Sequence, residues 1–531
     1  MWCYDRGMPN ARILAVLTVL LSVICGMAAR AEEALPSQVG RISAANGAVN
    51  LRPTGGEWTT ASINDPLATG MAVRTADRAR AGIGIGAQRS MLAGGSEAEI
   101  ARLDDAMVQI ALKQGRIGIH LARLDPGAAV EIDLPQGAVW LLAPGDYDIG
   151  AGSDQVPGWT AVFAGQARFA GSGADRTLAA GSAVVVNSKG AVTAANVNAD
   201  DFVTSWRPAA DPADPATLKH VSAGMTGWDA LDTAGSWESA EGLGEVWVPK
   251  SVPDDWAPYR YGHWRWAAPW GWNWVDDMAW GFAPSHYGRW ARIAGANAGP
   301  ERWAWVPGAE VAHPIYIPAA VNFIGSAGVG LSAPDPIGPV VAWFPLGPGE
   351  VYWASYTSDL GLIRRINAGA VKEVAKIGPG VGSEPPGELI TAHYQNRRFA
   401  TVVPRAVFAG ARAIAPARVS LPPERLDNAP LLLASPQIMP PASKPVVIAT
   451  ASAVHTLSRI LTPQPSRAVA RSAVSRYGRA ANAQSQTRSA FAARVAMSAS
   501  RARARAVASY ARSARIRTHL AAASGRSRVH Y

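Results

Sequence analysis

Residues Glu245–Gly308 read EVWVPKSVPDDWAPYRYGHWRWAAPWGWNWVDDMAWGFAPSHYGRWARIAGANAGPERWAWVPG, the densest aromatic stretch of the chain. Of 20 tryptophans in 531 residues, 15 fall between Trp228 and Trp353. An indole fills a core with its rings while its N–H looks for an acceptor. Such density serves either a compact Trp-packed core or a surface of flat rings for stacking ligands. Within the stretch, WAPYRYGHW at 256–264 aligns with FAPSHYGRW at 282–290. Trp256, Tyr261, Gly262 and Trp264 of the first copy stand opposite Phe282, Tyr287, Gly288 and Trp290 of the second. Trp272-Asn273-Trp274-Val275 resembles Trp303-Ala304-Trp305-Val306, and Trp247-Val248-Pro249 recurs as Trp305-Val306-Pro307. A W-x-W run on a strand points both rings to one face. The glycine of Tyr-Gly-x-Trp marks a kink or the close approach of another backbone. The unit reads as a hairpin-like β element used at least twice, its aromatics stacked in one layer, because repeats this short bury no face alone.

Outward from that module, 17% charged residues with 52 Gly and 39 Pro favour turn-rich β structure over long amphipathic helices. Residues 37–200 form short β-branched runs punctuated by glycine. Val130-Glu131-Ile132-Asp133-Leu134 alternates with period two, one face wet and one dry. Gly, Asp and Pro turns between such runs predict an all-β sandwich, barrel or coil. The expected fold is mainly β: this domain, a linker with a short helix over 201–240, a Trp-rich β-repeat module over 241–370, a Pro-rich extension over 371–426, and a basic low-complexity tail over 427–531, disordered or partly helical.

GRISAANGAVNLRP at Gly40–Pro53, LATGMAVRTADRARAGIGIG at Leu67–Gly86 and LLAPGDYDI at Leu141–Ile149 resemble the FecR-type domain of bacterial envelope proteins. Characterised members relay signals to a sigma factor, which needs a cytoplasmic helical domain and a membrane span before the β domain. Here a leader-like stretch comes first, so the resemblance implies a binding or scaffold unit and that role is not carried over. VWVP, DDWAPYRYGHW, PWGWNWVDD, WGFAPSHYGRW, WAWVPG and VAWFPLGPGEVYWASY look like an uncharacterised Trp-rich domain family of exported bacterial proteins, commonly found after FecR-like domains. That resemblance implies fold and location, not chemistry.

The leader is Arg6 and Arg12, an apolar run Ile13–Met27, and a small-x-small site at Ala29-Arg30-Ala31. This fits a secretory signal peptide over 1–31, cut after Ala31; the run is short of the ~20 residues a membrane span needs. Ile24 before Cys25 argues against lipidation. Cys3 and Cys25 are the only cysteines, so a chain cut at Ala31 has no disulfide, thiolate metal site or Cys nucleophile. At the other end, no acidic residue follows Asp427, and Lys444 with 15 arginines gives the tail +16 of the chain's +10, leaving residues 1–427 at −6. Arg494, Arg501, Arg505 and Arg512 fall on one helical face. Outside the cytoplasm such a tail either solvates the protein or meets anionic lipid; nucleic acid is not an expected partner.

His263, His286 and His313 with Asp254, Asp255, Asp276 and Asp277 are the candidates for metal or acid–base chemistry. They lack HExxH-type spacing, and His263 and His286 align with Arg289 and Arg260 across the repeat, so the expected role is structural. No catalytic residue, metal or cofactor is expected. Trp266, Trp270 and Trp280 are the candidates for an exposed aromatic platform. Arg74, Arg78 and Arg80 could form an anion patch, although a solvated strand face explains them too. The expected function is non-catalytic binding or scaffolding in the cell envelope, periplasmic or on the surface, with cell-wall glycan or another envelope protein as partner. The alternatives are an envelope sensor working through 37–200, or a glycan-binding or glycan-active protein with Asp254 and Asp255 beside Trp256 as its carboxylates.

Overall fold

In a computed structural model, residues 37–207, 215–295, 299–325, 331–334, 337–379, 385–433, 435–439 and 461–463 are described. The leader and nearly all of the basic tail lie outside them. The chain is mainly β, as its composition predicts. Residues 37–197 shuttle between two sheets, one of ten strands, the tenth supplied by Leu461–Pro463, and one of nine. Neighbouring strands pair antiparallel except Met107–Gln114 with Ala129–Leu134, which run parallel. Alternation decides which side chains enter the core: Ala98, Ile100 and Leu103 point in from strand Glu97–Asp104, and Val130 and Ile132 from Ala129–Leu134. They meet Ile42, Ile83, Ile119, Tyr147 and Ile149 of the facing sheet in one hydrophobic cluster.

Strand Arg116–Leu121 breaks the alternation, being buried on both faces. Its outward residues are covered by helix Asp201–Trp206, whose Trp206 ring occupies the space beside Gly118. A Cβ there would sit 2.2 Å from the indole. The charges beneath the helix are paired: Arg116 donates to Asp148 at 2.7 and 3.1 Å and to Asp200 at 2.7 and 3.1 Å. Asp148 also accepts from Trp159 Nε1 at 2.8 Å. Burial pushes its carboxyl up while the Arg116 charge opposes that shift. Asp146 accepts from His120 and Arg207. Asp146 and Asp148, both on strand Gly145–Gly150, thus stand in ion-pair networks. Arg74 and Arg80 part company, Arg74 stacking on Trp58 and Arg80 donating to Ser205.

The Trp-rich segment contains four hairpins with one register. Gly235–Ala240 pairs with Gly244–Pro249, Gly262–Ala267 with Gly271–Asp276, Arg289–Ile293 with Arg302–Val306, and Val321–Ile324 with Gly338–Pro345. At equivalent places Trp237 opposes Trp247, Trp264 opposes Trp274, Trp290 opposes Trp305 and Phe323 opposes Trp343. The second strands end Trp-Val-Pro, Trp-Val-Asp, Trp-Val-Pro and Trp-Phe-Pro. Glycine opens the first three units for a steric reason. A Cβ on Gly235 would lie 2.1 Å from Trp247, on Gly262 2.6 Å from Trp274, and on Gly288 2.6 Å from Trp305. The two copies visible as a sequence repeat are therefore the middle pair of four. They differ locally, since Phe282–His286 is a short helix and 256–260 is not helical.

The two β parts are joined through a polar latch. Asn64, left-handed at φ 66° and fully buried, donates from Nδ2 to Asp276 O at 2.9 Å and Met278 O at 2.7 Å. Its Oδ1 accepts from Arg41, which also reaches Ala279 O and Asp229. Buried Asp65 pairs with Arg265 of the second hairpin at 2.6 Å. Residues read from sequence as linker also pack: Thr217, Val221, Met225 and Leu231 are buried. The described chain up to Pro463 is one compact unit. The Pro-rich extension joins it as well, with Thr401–Pro404 adding a strand beside Gly338–Pro345 and Phe408 fully buried 4.6 Å from the Trp272 ring. Past Asp427, where extended free chain is expected, Leu431–Leu432 pairs with Val321–Ile324, Ile438 O accepts from Trp272 Nε1 at 2.8 Å, and Leu461–Pro463 pairs with Val192–Val197.

Two outcomes test this packing. Arg265→Ala strands a buried Asp65 and is expected to cost about 3–5 kcal/mol, splitting one calorimetric transition into two; a single unshifted transition would refute the latch. Gly288→Ala meets both a positive φ of 63° and the Trp305 ring, for an expected loss above about 2 kcal/mol. Gly349→Ala, at φ 81° in open space, should lose only about 1 kcal/mol in the same denaturant titration.

Candidate functional site

Turns following the hairpin strands leave one cleft with apolar walls and convergent polar groups, the usual form of a ligand site. Val221, Met225, Val311 and Ile317 form its walls, and His220, Glu310 and Arg365 are among its polar residues. His286 and Arg289, both buried, lie along its floor. Arg289 opens the third hairpin, and strand geometry turns its guanidinium inward. Nε donates to Glu350 O at 2.9 Å, Nη1 to Gly288 O at 2.7 Å and Nη2 to Asn367 Oδ1 at 2.7 Å. Asn367 Oδ1 is itself fixed by Tyr352 N at 2.8 Å. Burial pulls Arg289 down to about 10, so it stays charged near neutrality, held by neutral oxygens. The Glu350 carboxylate is occupied by Gly347 N and Gln395 N at 2.6 and 2.7 Å.

Two of the three candidate imidazoles, His286 and His263, are unsuited to proton transfer near neutral pH. Burial drives His286 to about 3, and its Nδ1 donates to Ile317 O at 2.8 Å. The ring packs between Phe282 and Tyr316 at 4.5 and 4.6 Å. His263 is pushed to about 4 by burial and the Arg265 charge, while His313 is exposed on a loop. Among the described residues no three His, Cys, Asp or Glu gather where a metal would bind.

The carboxylate pairs are drawn apart by the hairpin turns. Asp254 is exposed, whereas Asp255 accepts from the Tyr261 hydroxyl and pairs with Arg418. The Tyr261 hydrogen bond holds Asp255 below its ordinary range. Asp276 is buried, accepting from Trp274 Nε1 at 2.9 Å and Met278 N at 2.9 Å; Asp277 is exposed. Burial with no facing cation raises Asp276 to about 7. This is the work of a hairpin terminator that caps its own indole.

The proposed aromatic platform is not present as a platform. Trp270 is 3% and Trp280 7% exposed. Trp270 packs edge-on against Tyr316, and Trp280 lies 4.9 Å from Trp247. Trp266 alone of the three is half-buried, edge-on to Trp272 at 5.6 Å. Of the repeat residues, Trp256, Trp264, Tyr287 and Trp290 are core, Gly262 and Gly288 seat their indoles, and Tyr261 is a half-exposed donor. The latch residues Arg41, Asn64, Asp65 and Arg265 and the cleft residues Arg289 and Asn367 escape sequence reasoning. A signal existed only for the first hairpin, where Gly235-Ser236-Trp237 matches the Gly-x-Trp of Gly262 and Gly288.

Asp276 carries a pH signature. Its proton is held more tightly folded than unfolded, so stability falls as pH rises from about 4 to 7. His286 acts oppositely, its contribution present above 6.5 and lost as pH falls toward 3. Asp276→Asn removes the first effect only. The variant's stability relative to the parent is expected to improve as pH rises from 4 to 7, by at most about 1.4 kcal/mol per pH unit. Urea titrations across that range check it, and a pH-independent difference would contradict it.

Residues 228–350 match the family of unknown function DUF6600, a span that contains all four hairpins. No curated protein matches the chain. Two crystal structures of a candidate anti-sigma factor from Parabacteroides distasonis ATCC 8503, at 2.50 and 1.65 Å resolution, are similar at 14% identity and a TM-score of 0.23. Each match covers 25% of this chain and 63% of that protein, less than two thirds of its length.

Proposed function

We propose that this is an exported, non-catalytic binding or scaffold protein of the cell envelope, its first β part a FecR-like unit. The observation that supports this reading most is where the chemistry-bearing groups go. Asp276, Glu350 and Arg289 are committed to hydrogen bonds inside the fold, and Asp255 to Tyr261 and Arg418 at its surface. The half-buried His263 and the buried His286 are driven to about 4 and 3, away from the range a general base uses. The latch makes the two β parts one support on which a partner can be held. The leader-like segment 1–31 supports export.

A second reading is envelope sensing through residues 37–200. It is favoured by the same latch, because Asn64 and Asp65 tie any displacement of the first part to the second hairpin. In that case Arg265→Ala would abolish a transcriptional response even when its expression is raised to match the parent's abundance.

For the first reading, the full chain expressed in a Gram-negative host is expected in the envelope fraction with Glu32 as its first residue. The purified protein should sediment with isolated envelopes. Recovery from the cytoplasm with residues 1–31 intact, or failure to sediment, would refute it.

A further inference from the structure

The nine-stranded sheet of the first β part has one face in the core and one open. Its pairings place residues from six strands in a single row: Thr177, Arg168, Trp140, Glu131, Gln109 and Arg102. Their chain neighbours Phe169, Val139, Ile132 and Ile110 are buried, so the row itself points outward, and every member is half-exposed or exposed. At about 4.8 Å between strands the row runs about 24 Å across the sheet.

The chemistry along it is specific. Trp140 offers a half-exposed indole with the Arg168 guanidinium 5.4 Å from its ring centre. Next to it, Glu131 faces Asp133 one pleat along the same strand, and Gln109 Nε2 donates to Asp133 at 2.8 Å. Burial, then the Asp133 charge and a hydrogen bond with Asp133, raise the Glu131 carboxyl, while a hydrogen bond from Trp140 opposes the rise; added hydroxyl donors would stabilise the two neighbouring carboxylates. The face carries little net field, since Arg168 pairs with Asp175, and both Lys113 and Arg52 pair with Glu99. A polyanion or polycation gains nothing from such a balance. A neutral chain of hydroxyls and apolar ring faces gains both stacking on the indole and acceptors in the carboxylates and amide.

We propose that the open face of the nine-stranded sheet, along Arg168, Trp140, Glu131 and Gln109, binds an uncharged polysaccharide laid across the strands. The envelope reading above supplies the source of such a polymer; the geometry of the face stands without it. The glycan contact thereby moves from the Trp-rich hairpins, whose rings face inward, to the first β part.

The test is calorimetric titration of the full chain with cellohexaose and with chitohexaose. Binding of at least one is expected, with a tenfold or greater loss of affinity in Trp140→Ala, a similar loss in the isosteric Glu131→Gln, and no change in Trp266→Ala. Thermal midpoints establish that the variants fold. Absence of binding to both oligosaccharides, or parental affinity in Trp140→Ala and Glu131→Gln, overturns the proposal. So does a photo-cross-linker at position 140 that captures a protein and no glycan. If the parent still sediments with envelopes under those outcomes, the glycan assignment fails alone and the envelope function stands.

Discussion

Three of the four hairpins of the aromatic module depend on one steric fit, an indole lying where the facing strand has no side chain. The Trp247, Trp274 and Trp305 rings occupy the Cβ positions of Gly235, Gly262 and Gly288. In the fourth hairpin Val321 stands in that place, and the Trp343 indole N–H reaches Tyr259 O at 3.0 Å. Seated this way, the rings reach one another between hairpins. Trp264 meets Trp274 and Trp343 edge-on at 5.5 and 5.4 Å, the arrangement favoured by the ring quadrupole. Seven of the tryptophans are less than 2% exposed. At about 200 Å² a ring and 25 cal/mol/Å², each contributes up to about 5 kcal/mol of gross hydrophobic stabilisation. That outweighs the roughly 1–3 kcal/mol of an unmet N–H. It explains why Trp256 and Trp264 are kept with Nε1 buried and without an acceptor among the described residues.

How much of this could be read from the chain alone follows from the range of each interaction. Period-two alternation is local, and it led from Glu131 and Asp133 to a two-faced sheet. The Trp repeat is local too, so a hairpin used twice was visible, although Phe323 and Val321 disguised the fourth copy. Exposure is not local. Trp270 and Trp280 look like platform residues until Tyr316 and Trp247 arrive from elsewhere in the chain to cover them. The latch was out of reach for the same reason, because Asn64 and Met278 are 214 positions apart. Composition misled past Asp427, where it suggests loose chain while Leu431 and Leu433 are buried in the core cluster.

Buried charge in this protein follows a single rule with two outcomes. Where an opposite ion is at hand, as for Arg116 with Asp148 and Asp200 or Arg265 with Asp65, burial still raises Asp148 and Asp65 but the facing guanidinium opposes it, and the pair fixes a helix or a neighbouring β part in place. Where it is not, the shift follows desolvation: Asp276 moves up and His286 down until each is neutral at its working pH or close to it. Arg289 is the exception, since burial lowers it only to about 10 and it keeps its charge near neutrality, so three oxygens must serve instead of a carboxylate. Its position at the floor of the cleft places positive potential where the walls are apolar.

These constraints together divide labour between the two β parts. A module that turns its indoles inward gains stability and gives up ring faces for recognition, so its surface is left with turns, loops and a half-buried Trp266. The first β part makes the opposite choice. Its nine-stranded sheet draws its core from aliphatic side chains and leaves Trp58 and Trp140 half-exposed on the outside, with guanidiniums laid over both rings. An arginine over an exposed indole shields apolar surface from self-association while remaining displaceable. The latch anchors the sheet that presents these rings to a rigid, Trp-packed support, so that the polysaccharide we propose across the strands would meet a surface already ordered.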